Sequence, residues 1–319
     1  MQVFACPACS GRVYFDNTAC SCGQEVTFDP RTQAMHPGGD FCINRAAIGC
    51  NWVAETEGYC RSCTMTETVP DKGEGDNVLL WARTAAAKRW MLANLARWGW
   101  FTDADTGRRP VFDLLSEQTA SGDADIVMGH ADGTIVINVS EASETTRQVR
   151  RENLGELYRT MLGHMRHEMA HFLHMRLAEK PGFDDDFRAL MGDERADYSE
   201  ALKRHYAAPG YPDDSFITGY ATAHPHEDWA ETTAHLLHLV DLLDSASAAG
   251  MTWRGGPPPG YDAYAEPDAG RLVGYAIDAT IAVNHVNRAM ELPDLYPFVL
   301  GDGVRGKLAF VHAHLRLNA

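Results

Sequence analysis

The stretch "HMRHEMAHFLHMRL" (164–177) contains four histidines, at positions 164, 167, 171 and 174. Their spacings of three, four and three residues place all four on one face of a helix. Only His167 and His171 belong to an HExxH pattern, because Glu168 follows the first of them. Two imidazoles one turn apart can hold one Zn²⁺, and the adjacent glutamate can then reach a water molecule. We predict that His167 and His171 bind zinc, that Glu168 is the general base, and that His164 and His174 flank the site.

A catalytic HExxH helix needs a third metal ligand, and "HPHEDWAETTAH" (224–235) offers two candidates. Glu227 and Glu231 are four residues apart and therefore share one face of a second helix. One carboxylate can complete a His₂Glu site with an open fourth position, as a catalytic zinc requires. The other can accept a hydrogen bond from a ligand imidazole. We predict that Glu227 is the ligand and Glu231 the acceptor; the alternative is a solvated acidic face.

All eight cysteines lie within the first 63 residues, which indicates metal binding rather than scattered disulfides. Zinc prefers four thiolates in a tetrahedron, and so short a segment has little core of its own. The pattern predicts two structural Cys₄ zinc sites. Sequential pairing is the simplest arrangement and interleaving stays open; the sequential sets are Cys6, Cys9, Cys20 and Cys22, and Cys42, Cys50, Cys60 and Cys63.

The composition is that of a soluble globular protein, with 45% apolar and 23% charged residues. Acidic residues number 44 against 28 Lys plus Arg, a formal charge of −16 that disfavours nucleic-acid binding. The sequence has no apolar run of about 18 residues, so we expect no membrane span. The start "MQVFACPACSGRVYF" lacks a basic region followed by an apolar one, from which we expect a cytoplasmic location.

Organisation along the chain predicts a head over residues 1–63, a polar linker over 64–76 and a second domain over 77–319. Helices are expected from Asn77 onward, from about Arg151 to Lys180, over 192–206 and 225–246, and as a final pair within 271–317. Two β-branched runs joined across Ala131-Asp132-Gly133 predict an antiparallel hairpin. We expect its strand near Ile135–Val139 to pair with an extended peptide. The predicted class is α+β, mainly helical with a small antiparallel sheet.

Several longer motifs resemble the bacterial family of zinc-binding metallopeptidases that have an N-terminal zinc ribbon. They are "FCINRAAIGCNW", "RHEMAH", "GDERADY", "YATAHPHEDWAETTAHLLH" and "DLYPF". The resemblance implies a Cys-rich double zinc-ribbon head followed by a zincin-like metallopeptidase domain. The Tyr-x₆-Glu-x₃-Glu pattern at Tyr220, Glu227 and Glu231 is also similar to that of lethal-factor-like gluzincins. That likeness implies that Glu227 binds zinc and that the Tyr220 hydroxyl assists the oxyanion.

Together these features predict a zinc metallopeptidase that activates water against a peptide bond, with one catalytic and two structural zinc ions. The expected substrate is a peptide or protein, and the zinc-ribbon head could dock a protein partner. Two alternatives stay open. One is a catalytically silent zincin scaffold that acts as a protein-binding adaptor; the other is a zinc amidohydrolase acting on a non-peptide amide.

Overall fold

The computed structural model describes residues 1–154 and 158–317. The chain forms two compact units, Met1–Met165 and Arg166–Ala319, so the boundary falls inside the helix that carries HExxH. Among the described helices, none combines the length and the apolar character that a bilayer crossing needs. The division into a head, a linker and a second domain at residues 63 and 76 stays a prediction.

The first unit begins with short elements around the cysteines. Two small antiparallel hairpins come first, followed by two one-turn helices. The elements are β1 (Phe4–Ala5), β2 (Arg12–Val13), β3 (Val26–Asp29), β4 (Ala34–Pro37), α1 (Arg45–Ile48) and α2 (Arg61–Thr64). The core here is a small aromatic group, in which the ring centroids of Phe15 and Phe28 are 4.8 Å apart and those of Phe28 and Trp52 5.6 Å apart. So small a core agrees with a segment that relies on metal for stability.

A long helix and a four-stranded sheet complete most of this unit. The elements are β5 (Thr66–Thr68), α3 (Asn77–Ala96), β6 (Val111–Leu115), β7 (Gln118–Thr119), β8 (Gly122–Asp123), β9 (Gly129–Ala131) and β10 (Thr134–Asn138). The helix α3 starts at Asn77, as predicted. The sheet order is β5-β6-β10-β9, and the buried Phe112, Leu114, Ile135 and Ile137 alternate along its two central strands.

The predicted hairpin is present, since β9 and β10 pair in antiparallel register around Ile135 and His130. Asp132 and Gly133 have φ angles of 46° and 81°, which suits a tight turn with glycine second. Its first strand begins at Gly129, later than the β-branched run suggested. The other pairings, β10 with β6 and β6 with β5, are parallel, so the sheet is mixed.

The prediction that this hairpin strand adds a peptide is wrong over its first half. Residues Thr134–Val136 pair with β6 on one side and β9 on the other, so their backbone groups already have partners. Strand addition requires an open edge. The edge strands of this sheet are β5 and β9.

The predicted helix from Arg151 to Lys180 is interrupted, and residues 155–157 of it lie outside the described part of the chain. A 3₁₀ turn (Val139–Ala142) leads into α4 (Glu144–Leu154), and the HExxH helix α5 covers Met161–Leu177. Residues 158–160 are not helical. The physical reason is a cap, because the Thr160 hydroxyl accepts a hydrogen bond from the Gly163 backbone N–H and so starts a new helix.

The second unit is helical. After α5 come α6 (Phe183–Met191), α7 (Tyr198–Ala207), a 3₁₀ turn (Tyr220–Thr222), α8 (Pro225–Ala248), α9 (Ala269–Ala289) and α10 (Asp302–Leu315). The predicted α8 is confirmed, and it is buried on most sides because α6, α9 and α10 pack against it. The predicted helix over 192–206 begins only at Tyr198, where Asp197 caps it by accepting from the Glu200 N–H. The α+β class is confirmed.

Candidate metal centre

Two helices of the second unit position the predicted ligands. Helix α5 presents His167 and His171 one turn apart, and α8 presents Glu227 in its first turn. Helix α8 starts where the sequence predicts, with Pro225 at its first position and His224 accepting a hydrogen bond from the His226 N–H. A carboxylate in the first turn is favoured by the helix dipole. Local sequence thus fixes the start of α8, where Glu227 lies.

The ligand atoms of His167, His171 and Glu227 all lie within 4.8 Å of one another. The His167 Nε2 atom is 3.1 Å from Glu227 Oε2 and 3.3 Å from His171 Nε2, and His171 Nε2 is 3.7 Å from Glu227 Oε1. Glu227 is almost fully buried. Burial alone would raise the pKa of its carboxyl, but the two imidazoles outweigh burial and hold that pKa well below its usual range. The structure therefore brings three potential ligands to one point.

The donor set fits a divalent cation. His167 Nδ1 lies 2.7 Å from Glu231 Oε1, and a carboxylate only accepts, so Nδ1 is the donor. In the neutral ring this leaves a lone pair on Nε2, which faces Glu227. Among the residues that the structure describes, none donates a hydrogen bond to the buried Glu227 Oε2. Lone pairs that converge around an orphaned carboxylate oxygen are typical of a metal site.

Glu231 is hydrogen-bonded to the first histidine of the cluster. Besides contacting His167, its carboxylate accepts a hydrogen bond of 2.8 Å from the Thr218 hydroxyl, which in turn accepts from the Ala221 N–H. The carboxylate is thereby held in one position relative to the imidazole. The structure places Glu231 where the predicted hydrogen-bond acceptor should be, and Thr218 was not anticipated from the sequence.

Tyr198 is a second contact that sequence reasoning missed. Its hydroxyl donates to Glu227 Oε1 over 2.5 Å. Burial, followed by the Glu227 carboxylate, raises the pKa of the Tyr198 phenol above its usual range, so the group stays a donor. The motif "GDERADY" includes this residue, but nothing in its spacing from Glu227 indicates the contact. The cap at Asp197 is the local signal that places Tyr198 at the start of α7.

The predicted catalytic residues lie near this cluster. Glu168 is buried on α5, and its charge acts on both His167 and Tyr198. The ring centroid of Tyr220 is 6.0 Å from that of His167. Burial and then Glu227 raise the pKa of the Tyr220 phenol, which keeps its proton available for donation. The roles of Glu168 and Tyr220 stay predictions.

The flanking histidines lie outside the three-residue cluster. His164 Nε2 is 3.6 Å from the fully buried Glu141, whose carboxylate also accepts from Arg150 and Arg159 over 2.7 and 2.6 Å. His174 packs edge-on against Phe187, with centroids 4.7 Å apart. Burial, together with nearby histidines, lowers the pKa of His174 to about 3, so its ring is neutral and acts as an aromatic core residue.

The eight cysteines form two groups in the first unit, in the sequential arrangement. The first cysteine cluster is Cys6, Cys9, Cys20 and Cys22, and the second cysteine cluster is Cys42, Cys50, Cys60 and Cys63. In the first, sulfur pairs approach to 3.7 and 3.8 Å, so the short Cys20-Ser21-Cys22 spacing does not prevent convergence. In the second, the sulfurs of Cys50 and Cys60 are 3.5 Å apart. The second cluster is the more buried of the two.

This architecture defines a class of protein: an α+β chain with a cysteine-rich zinc-ribbon region and a separate His₂Glu cluster. The family model described as "Putative zinc-binding metallo-peptidase" matches residues 77–314, and a model described as "zinc-ribbon domain" matches residues 3–39. The chain belongs to that metallopeptidase family, as the sequence motifs indicated.

Relatives match nearly end to end. The uncharacterized protein Rv2568c of Mycobacterium tuberculosis (strain H37Rv) and the uncharacterized protein Mb2598c of Mycobacterium bovis are each 36% identical to this chain over 335 residues. Each match covers 98% of this chain and 94% of the relative. No solved structure gives a significant match to the chain.

Proposed function

We propose that this protein is a zinc-dependent peptidase of the gluzincin type, with zinc held by His167, His171 and Glu227. The observation that supports this most directly is the convergence of those three ligand atoms within 4.8 Å. Zinc bound there would polarise the scissile carbonyl and lower the pKa of water toward about 7. The zincin-like character of the helical region and the peptide nature of the substrate belong to the same proposal.

Four residues of the chain have separate roles in the proposed hydrolysis. Glu168 takes a proton from the attacking water and passes it to the leaving amine. The Tyr220 hydroxyl donates a hydrogen bond to the oxyanion that develops on the carbonyl, a contribution of about 3 kcal/mol. Glu231 holds the His167 ring in one tautomer and orientation, because its oxygen lies 2.7 Å from Nδ1. The Tyr198 hydroxyl donates a hydrogen bond to Glu227 Oε1 and so helps to position that carboxylate.

The two cysteine clusters are proposed to hold structural zinc, which makes three zinc ions per chain. Closed sets of four sulfurs leave no open position for a substrate, so these sites stabilise the fold rather than take part in hydrolysis. A cytoplasmic location also stays a proposal; its support is that zinc binding needs reduced thiols, which that compartment maintains.

The decisive experiment compares Glu168→Gln with the wild-type protein. We expect the variant to retain three zinc ions per chain but to lose hydrolysis of a broad peptide library by at least about a hundredfold, as is typical for loss of a general base. Glu200→Gln removes an exposed carboxylate from α7 and serves as the control for charge alone. Full turnover by Glu168→Gln would contradict the assignment of the base. Full zinc content without hydrolysis by the wild type would favour the adaptor alternative.

A further inference from the structure

Buried basic side chains divide into two kinds in this protein. Within residues 1–154 and 158–317, the buried ones are Arg61, Lys88, Arg89, Arg166 and Lys307. Three of them contact a carboxylate directly: Arg61 is 3.0 Å from Glu55, Arg166 is 2.6 Å from Asp241, and Lys307 is 2.5 Å from Asp228. Such pairing is the rule, because an isolated charge in the interior costs several kcal/mol.

Lys88 and Arg89 are the exceptions. In the described part of the chain, neither has a carboxylate oxygen within 4.0 Å, although they are only 1% and 2% exposed. The Lys88 ammonium donates to the carbonyl of Ser62 over 2.8 Å and to the Thr66 hydroxyl. Arg89 Nε and Nη1 have no hydrogen-bond partner among residues 1–154 and 158–317. The carboxylate that Arg89 influences, Asp16, acts only over a longer distance. Neither buried cation is therefore in direct contact with a carboxylate, and the other near neighbour of the Lys88 ammonium is the Phe112 ring, whose centroid is 4.7 Å away.

Both side chains belong to α3, and their charges act on cysteines of the second cluster. Ser62, the partner of Lys88, lies between Cys60 and Cys63 in sequence, and α1 and α2 pack against α3. Lys88 acts electrostatically on Cys63, and Arg89 acts on Cys50. Cys50 and Cys60 are fully buried. Four thiolates around one divalent zinc leave two negative charges, which in a buried site also require compensation.

We propose that Lys88 and Arg89 are the counter-charges of a zinc–tetrathiolate in the second cysteine cluster, so that the metal site and α3 stabilise each other. Two cations match the two negative charges of the loaded site. The inference rests on the proposed zinc content of this cluster and not on peptidase activity.

The two cysteine clusters differ in exposure, and for that reason only the second needs buried counter-charges. Cys9 and Cys22 are exposed, so water screens the charge of a zinc bound there. The second cluster lacks that screening because three of its cysteines are buried. The consequence is that zinc in the cysteine-rich region supports α3 (Asn77–Ala96), the first helix of the metallopeptidase match over 77–314.

The test compares Lys88→Met and Arg89→Met with Arg89→Lys in the full-length protein. A zinc chelator is added, and alkylation of each cysteine is followed by peptide mass. We expect the methionine variants to expose the thiols of the second cluster about tenfold faster, the loss usual for residues that support a metal site. Arg89→Lys keeps the charge but not the guanidinium shape, so it should retain most of the wild-type protection. Thiols of the first cluster serve as the internal control and should react at the wild-type rate.

A neutral control separates charge from general destabilisation. Leu92→Ala removes a buried apolar side chain from the same helix without changing its charge. Equal acceleration by Leu92→Ala and Arg89→Met, or equal behaviour of Arg89→Lys and Arg89→Met, would overturn the proposal. If Lys88→Met does not fold, the comparison of the wild type with Arg89→Met and Arg89→Lys still tests the proposal. Wild-type thiols that react without chelator would show that the second cluster holds no zinc, which overturns both the zinc assignment there and this inference; the peptidase proposal is judged separately by Glu168→Gln.

Discussion

Removal of the negative charge that orients His167 is expected to weaken metal binding without disturbing the fold. The substitution is Glu231→Gln, which preserves size and shape. The glutamine carbonyl can still accept from His167 Nδ1, now at 2.7 Å in the wild type. Its NH₂ group would face Thr218, whose hydroxyl can turn to accept, as it already does from the Ala221 N–H. The charge is therefore the main property lost.

The magnitude follows from what that charge does. Loss of a carboxylate behind a ligand histidine typically reduces metal affinity by 10- to 100-fold, or about 1.4 to 2.7 kcal/mol. The lower value applies here, because the hydrogen bond to His167 survives and the Glu231 side chain is 18% exposed, so water screens part of the charge. We expect about a tenfold weaker affinity, with the ring held less firmly rather than released.

The assay is competition between the protein and a zinc chelator of known affinity, with alkylation reporting separately on the cysteine clusters. Glu200→Gln is the matched control, since it removes the same charge from an exposed position on α7. Unchanged affinity in Glu231→Gln, or an equal loss in Glu200→Gln, would refute the orienting role. An equal loss of zinc from the cysteine clusters would point instead to general destabilisation.

Two further predictions concern contacts made to the buried carboxylates of Glu227 and Glu141. Tyr198→Phe should reduce zinc affinity about tenfold, because it removes a charge-assisted hydrogen bond to Glu227 worth about 1.5 kcal/mol. Tyr211→Phe, at an exposed phenol, should have no effect in the same chelator competition. Glu141→Gln should destabilise the fold at pH 7 by about 2 kcal/mol, since it removes the buried carboxylate charge that accepts hydrogen bonds from the partly exposed Arg150 and Arg159. Burial by itself would raise the pKa of Glu141, but His164, Arg159 and Arg150 together hold that pKa below its usual range. The stabilisation by Glu141 is therefore fully present above its unfolded-state pKa of about 4.3, and it is lost as the pH falls through its folded-state pKa. Thermal unfolding at pH 7 and at acidic pH checks this: a difference between wild type and variant that does not shrink on acidification would contradict it.

Elements with regular local patterns could be predicted from the sequence. The spacing of His167 and His171 follows from the 3.6-residue period, and Pro225 marks the start of α8. The turn at Asp132-Gly133 carries its own chemical signal. By contrast, α6 was missed although its buried Phe183, Phe187 and Met191 repeat every four residues, a signal that could have been used.

The interruption before Met161 shows where local patterns mislead. Residues on both sides of it favour a helix, and the new helix starts because Thr160 caps it. The candidate site shows the same limit more clearly. The distance between His167 and Glu227 depends on the path of the chain through α6 and α7, and no periodicity describes that path.

The sequence by itself determined which side chains share a helix face and which cysteines are close in the chain, because those relations depend only on backbone geometry. Tertiary structure alone decided that Tyr198 reaches Glu227 and that Thr218 reaches Glu231. It also brought the Lys88 ammonium to 2.8 Å from the carbonyl of Ser62, the residue that precedes Cys63. Such contacts join residues that are far apart in sequence. They form because the folded chain brings these polar groups out of water, where each is stabilised by a hydrogen-bond partner.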